Sequence, residues 1–177
     1  MSGEILVMET ANVFIGNHDP EKSKHLVIKN LTLPTLEPAT ADHMPGGGVM
    51  EVAFSMGVLR KLEPSFQLVG FDQEAYRAAG VGSNQVENFT FRGGIRKKSD
   101  GRLLAAVATI RGTMGKVAPD QFERGNLMGH DHMLVDVVRY KLELGGVSWF
   151  DVDFWGSTRK RFGVDEYAEM RRVLGVL

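Results

Sequence analysis

Apolar side chains occupy every second position from Met50 to Val58. Met50, Val52, Phe54, Met56 and Val58 alternate with Glu51, Ala53, Ser55 and Gly57. Successive side chains of a strand point to opposite faces, so the pattern predicts a strand with one apolar face. The same period runs through Glu87 to Lys97, where Phe89, Phe91, Gly93 and Ile95 share a face. Ser99-Asp100-Gly101 then predicts a hairpin turn, because glycine adopts a positive φ angle at little cost. Leu103 to Ile110 follows and is apolar on both faces. Such a strand needs cover on both sides, as in a sandwich, a closed barrel or a subunit interface.

His132 to Leu144 predicts a long strand that changes phase. Met133, Val135 and Val137 are odd-numbered, whereas Val138, Tyr140, Leu142 and Leu144 are even-numbered. The switch near Val137-Val138 predicts a bulge or a change of sheet. Further strands are expected over His25–Leu33, closed by Pro34, and over Ser65–Phe71. Thr35–Met44 is expected to be extended, and the Pro45–Gly48 loop joins it to Met50–Val58 as a long hairpin. Gly145-Gly146 turns the chain into Val147–Val152. Two short helices complete the reading. Asp72 caps the first and Gly80 ends it. The second spans about Val164 to Leu174, with acids at its start and Arg171 and Arg172 at its end.

At 177 residues the chain has the length of one domain, and it is long enough to bury a core. A net charge of −1 gives no global argument for binding nucleic acid or an anionic membrane. No cysteine is present, which excludes disulfides, thiolate metal sites and cysteine nucleophiles. The N-terminus lacks the pattern of a secretory signal, and no apolar run has the length of a membrane-spanning helix. Glycine is the compositional outlier, at 21 residues. Its clusters at Gly46-Gly47-Gly48, Gly93-Gly94 and Gly145-Gly146 sit beside strands and are expected at turns and bulges.

Candidate chemical sites are weak. His130 and His132 are two apart and share a strand face, as metal ligands require, but no third ligand is indicated. A solvated strand start is the plainer reading of the pair. Asp151 and Asp153 share a face between apolar neighbours and read as its polar side. Gly46-Gly47-Gly48 lacks the lysine and hydroxyl of a phosphate loop. Basic residues gather at Arg92, Arg96, Lys97, Lys98 and Arg102, and at Arg159-Lys160-Arg161. They read as a solvated face or as a charged seam between subunits. No residue pattern identifies a catalytic, metal or cofactor site, and no enzymatic activity is expected. Long alternating strands, a two-sided apolar strand and a glycine-rich loop point instead to assembly through sheets.

The ordered set of motifs resembles the major tail tube proteins of contractile-tailed bacteriophages and R-type pyocins. Asn12-Val13-Phe14-Ile15-Gly16 resembles that family's opening, and Leu31-Thr32-Leu33-Pro34-Thr35-Leu36 its Leu-Thr-Leu-Pro strand. The hairpin tip Pro45-Gly46-Gly47-Gly48-Val49-Met50 follows. Later come Ala108-Thr109-Ile110-Arg111-Gly112, Tyr140-Lys141-Leu142, and an ending that runs from Gly163-Val164-Asp165 to Leu174-Gly175. Agreement in order over most of the chain outweighs any single motif.

The resemblance implies a mainly β fold. It takes the form of a β-sandwich or partly closed barrel with extended hairpins and one or two short flanking helices, related to the type VI secretion tube. One domain would span residues 1–177, with an extended N-terminal segment over 1–24. It also implies a structural role in stacked homohexameric rings, the inner tube of a contractile tail or tailocin. Partners would be the sheath, tape measure, baseplate hub and terminator proteins. The tube would serve for DNA delivery or for envelope puncture, any DNA passing without specific binding. The monomer would not insert into membranes, and assembly would occur in the bacterial host cytoplasm. His25–Met44, Val49–Val58, Leu103–Thr113 and Met133–Glu143 are expected to supply the inner barrel. Interface residues are expected at Asn12, Val13 and Phe14 and at Met44, Pro45, Gly46, Gly47, Gly48, Val49 and Met50. The alternatives are a type VI-like secretion tube protein and a small-ligand-binding β-barrel.

Overall fold

Strands form where the two-residue period predicts them, and they pair antiparallel. The computed structural model describes residues 4–16, 18–80 and 85–176. In chain order the strands are β1 (Leu6–Ile15), β2 (Ile28–Thr32), β3 (Pro38–His43), β4 (Val52–Leu59), β5 (Ser65–Val69), β6 (Glu87–Lys97), β7 (Leu103–Pro119), β8 (Gly129–Leu144), β9 (Val147–Asp153), β10 (Thr158–Arg161) and β11 (Val164–Asp165). Helix α1 (Gln73–Ala78) lies between β5 and β6, and α2 (Ala168–Leu174) follows β11.

Nine strands make one sheet in the order β1-β6-β7-β8-β9-β10-β11, with β5 on the early half of β8 and β2 on β5. Strand β8 has β7 along one edge. Its other edge is shared, with β5 beside Gly129–Met133 and β9 beside Arg139–Leu144. The division falls at the bulge expected near Val137-Val138, but the core face does not change parity there: His130, His132, Leu134 and Tyr140 are all buried, and Met133 and Val135 are not. Arg111 opposes Arg139 and Thr113 opposes Val135, so Gly112 alone lies opposite Asp136, Val137 and Val138. Asp136 takes φ 50 there, in the left-handed region. The bend lets β5 curl over the sheet, and Phe66 of β5 meets Phe91 of β6 edge-on at 5.7 Å, two strands beyond its nearest ladder partner. The sheet is thus partly closed. Among the described residues it forms no complete barrel, and β1 and β11 end the ladder.

The core fills the inside of this curl. Phe89 and Phe91, Ala108 and Ile110, Leu134 and Tyr140 supply alternate residues from neighbouring strands, and all are buried. Burying such side chains stabilises by about 1.5–3 kcal/mol each. On the opposite face of β7, Leu103 and Ala105 are exposed, so among the described residues that strand has cover on one side only.

Asp72 caps α1 as expected, its carboxylate accepting from the Ala75 amide at 2.9 Å. The second helix begins later than expected. Val164–Asp165 pairs with β10, and the Asp165 carboxylate binds the Tyr167 amide and the Arg171 guanidinium, at 3.0 Å and 2.7 Å. These bonds draw the acid away from the helix start, so α2 opens only at Ala168. Gly175 ends it at φ 69. The solvated reading of His130 and His132 is also overturned, because both rings lie on the core face, at 0% and 1% exposure.

Candidate assembly surfaces

Strands β3 and β4 form a separate two-stranded ribbon. Its base is tied down. Arg60 N donates to Glu37 O at 2.8 Å, and Arg159 donates to Gly57 O at 2.9 Å. Leu59 and Leu62 pack at the core. Among the described residues, none covers the ribbon beyond that base. Ala41 pairs with Phe54 and His43 with Val52, so Val52 and Phe54 share a face, and Met56 and Val58 follow within the register shift before Leu59. Phe54, Met56 and Val58 are 57%, 45% and 44% exposed, and the stripe continues into exposed Met44, Val49 and Met50 at the tip. A two-stranded ribbon is marginal in water alone.

A groove of about 370 Å³ opens at the foot of this stripe. Val58, Leu62, Val137, Val152, Phe154 and Tyr167 line it, from β4, β8, β9 and the segment before α2. A second apolar surface follows β9. Trp149 and Phe162 lie 5.4 Å apart, Phe154 and Trp155 lie 5.0 Å apart, and all four are exposed. Patches of this kind mark interaction sites more often than idle surface.

The open face of the main sheet is polar. Thr90, Thr109, Arg111, Arg139, Lys141 and Glu143 surround a shallow depression across β6, β7 and β8. The charges on this face are mixed, with Lys141 at 2.7 Å from Glu143 and Arg139 at 4.0 Å from Asp151. Asp151 and Asp153 face cations: Asp151 lies opposite Lys141 and Lys160, and Asp153 opposite Arg139. The basic runs are likewise matched inside the chain. Glu9 binds Arg96 at 2.7 Å, and that bond, acting against a smaller effect of desolvation, holds its carboxyl below the usual range. Glu4 and Asp100 bind Lys97, and Glu166 binds Arg159 and Arg161.

The expected interface residues divide into two groups. The tip residues from Met44 to Met50 are all exposed. Val13 and Phe14 are buried, with Phe14 against His18 at 4.2 Å, so they serve the core and offer a neighbour no surface. Asn12 fastens the crossover, donating to Ser23 Oγ at 2.8 Å and accepting from Lys24 N at 3.0 Å. Of the four segments expected in an inner barrel, Leu103–Thr113 and Met133–Glu143 lie side by side, β2 joins through β5, and the ribbon stands in its own sheet. Sequence reasoning missed the Trp149–Trp155 patch as a surface, although two tryptophans close together were the visible signal. Among the described residues no group of three metal-ligating side chains converges.

An exposed apolar stripe on a two-stranded ribbon is the kind of surface that other chains cover. The chain belongs to the phage tail tube protein FII family, whose model matches residues 7–175. Its fold is similar to that of the sheath/tube terminator of an extracellular contractile injection system, PVC, in the extended state. The TM-score is 0.51 at 12% identity, over 76% of this chain and 93% of that one. A chain of the PVC sheath-tube complex in the extended state gives a TM-score of 0.48 at 10% identity, over 76% and 88%. No curated protein matches. The protein is thus a structural, particle-associated tail tube protein.

Proposed function

We propose that copies of this chain join head-to-tail into hexameric rings, and that the rings stack as the inner tube of a contractile phage tail or tailocin. The observation that carries this reading is the β3–β4 ribbon, whose Phe54–Met56–Val58 stripe is exposed among the described residues. A second copy supplies that partner, and each copy offers the same ribbon and the same groove. A contact between different patches on identical subunits closes into a ring when its rotation closes. The tip, Met44, Pro45, Gly46, Gly47, Gly48, Val49 and Met50, then reaches the neighbouring subunit or ring.

Residues 1–177 act as one tube domain in this reading. The tube lies inside a sheath and meets tape-measure, baseplate-hub and terminator proteins. It serves as a conduit for DNA or as a rod that punctures an envelope, and it assembles in the host cytoplasm. The mixed charges of the open sheet face suit a wall that lets a polyanion slide, because tight phosphate binding needs unpaired cations in number. Deletion of Pro45–Gly48 tests the tip. The expected product is a folded monomer that does not polymerise, and tubes of normal length from that variant overturn the role given to the loop.

A further inference from the structure

The assembly account leaves two buried histidines unused. His130 and His132 stand on the core face of β8. The Tyr76 hydroxyl of α1 lies 2.9 Å from His130 Nδ1. Phe71 covers His130 at 4.4 Å, and Phe66 stacks on His132 at 4.9 Å with 8° between the planes. Among the described residues, His130 Nε2 and both ring nitrogens of His132 lack hydrogen-bond partners. A neutral imidazole has one N–H donor and one acceptor, so His132 buries both unsatisfied in either tautomer. Protonation would place a charge in this aromatic enclosure, where burial disfavours it.

The ionisable groups around the pair do not relieve that penalty. From α1 come Asp72 and Glu74, both engaged by Lys24 at 2.8 Å and 2.9 Å, together with Tyr76 and exposed Arg77. Asp131 is the neighbour on β8 itself. Asp120, after β7, is held by Gly129 N at 3.1 Å and by the Gln67 amide, and Lys116 of β7 is exposed. Strand β5 brings Phe66, Gln67 and Leu68 and no ionisable group. Burial pushes the His132 imidazole below its ordinary pKa and neighbouring His130 adds to that, against smaller upward pulls from the His130 backbone, Asp72 and Asp131.

We propose that the His130–His132 pair is an acid-sensitive latch. At neutral pH residues 70–79 close over the pair through Tyr76 and Phe71, and in acid the segment opens so that water can reach a protonated ring, while the β6–β7 ladder stays paired. The lowered value fixes the sign. For His132, the contribution of the neutral ring is complete above the ordinary histidine value of 6.5 and is lost as pH falls below it, toward and through the folded-state value. The device resides in the monomer fold and stands whether or not copies build a tube.

Hydrogen exchange on the full chain at about pH 7.5 and about pH 5, corrected for intrinsic rates, tests the latch. Opening of α1, read at the Tyr76 and Ala79 amides that donate to Asp72 O and Ala75 O, is expected to rise about tenfold in acid, with β6–β7 unchanged. His132→Phe keeps the stack, cannot ionise, and should limit the rise to about twofold. Tyr76→Phe removes only the hydroxyl and should raise α1 exchange already at neutral pH, which gives a second readout if His132→Phe does not fold. Equal α1 exchange at the two pH values in the unaltered protein overturns the latch. So does an undiminished rise in His132→Phe and His130→Phe alike.

Discussion

Lys24 Nζ lies 2.8 Å from Asp72 Oδ2, so the crossover after β1 is bolted to the residue that caps α1. Burial disfavours charge at both ends of this pair. For Lys24, the bonds to Asp72 and Glu74 outweigh burial and hold its pKa above the ordinary value. For Asp72, the bonds from Lys24 and the Ala75 amide outweigh burial and hold its carboxyl below the usual range.

Asp72→Ala should therefore lower stability by about 1 kcal/mol through the lost cap. The ion-pair share is smaller, because the carboxylate is partly solvated. The pH dependence has a definite sign. A lowered carboxyl stabilises the fold above its ordinary value of 3.8, and that contribution is lost as pH falls below it. Urea unfolding at neutral pH and below pH 4 checks both points. Asp72→Asn should show a shallower loss in acid than the unaltered protein.

Asp136 carries the bend of β8 at φ 50, opposite Gly112. A Cβ on Gly112 would meet Val135 O at 2.9 Å, so the close approach there is between backbones. Asp136→Gly should be neutral or slightly stabilising, whereas Asp136→Ile should cost about 1–3 kcal/mol by placing a β-branched residue in the left-handed region. Thermal melts of the two variants decide this, and equal melting temperatures would remove the strain from the account.

Ile110 is fully buried between Phe89 and Tyr140 in the ladder. Ile110→Ala should destabilise by about 2–5 kcal/mol, from lost burial and the cavity left behind. Chemical denaturation should show a lower midpoint with little change in slope.

The sequence made some of this legible because the controlling interactions are local. The apolar period of Phe89 and Phe91, with the turn at Gly101, sets the β6–β7 hairpin, and the Asp72 cap needs only Ala75. The expected bulge near Val137-Val138 falls at the bend, but the strand keeps one core face through it, with His130, His132 and Leu134 before and Tyr140 after. The histidines were misread for the opposite reason. Their cover comes from Phe66 and Phe71, brought over by the curl of β5, and nothing beside His130 in the chain announces it. Helix α2 starts late because Asp165 bonds to Arg171 and Tyr167 after pairing with Lys160, a choice that depends on β10. The same separation hid the ribbon. Alternation showed that Phe54, Met56 and Val58 share a face, but an apolar face reads alike whether its partner is in the same chain or another.

Phe54→Asp with Met56→Asp isolates that stripe from the fold. Both side chains are exposed in the monomer, so its stability should change by no more than about 0.5 kcal/mol per site. Assembly loses two apolar contacts and gains two buried charges, and should fail.

Negative-stain imaging of the purified full chain at high concentration, beside this double variant, tests the central claim most directly. Rings or tubes of sixfold symmetry from the unaltered protein, and only compact particles from the folded variant, are the predicted result. Compact particles from the unaltered protein at every concentration, or normal tubes from the variant, would contradict the account.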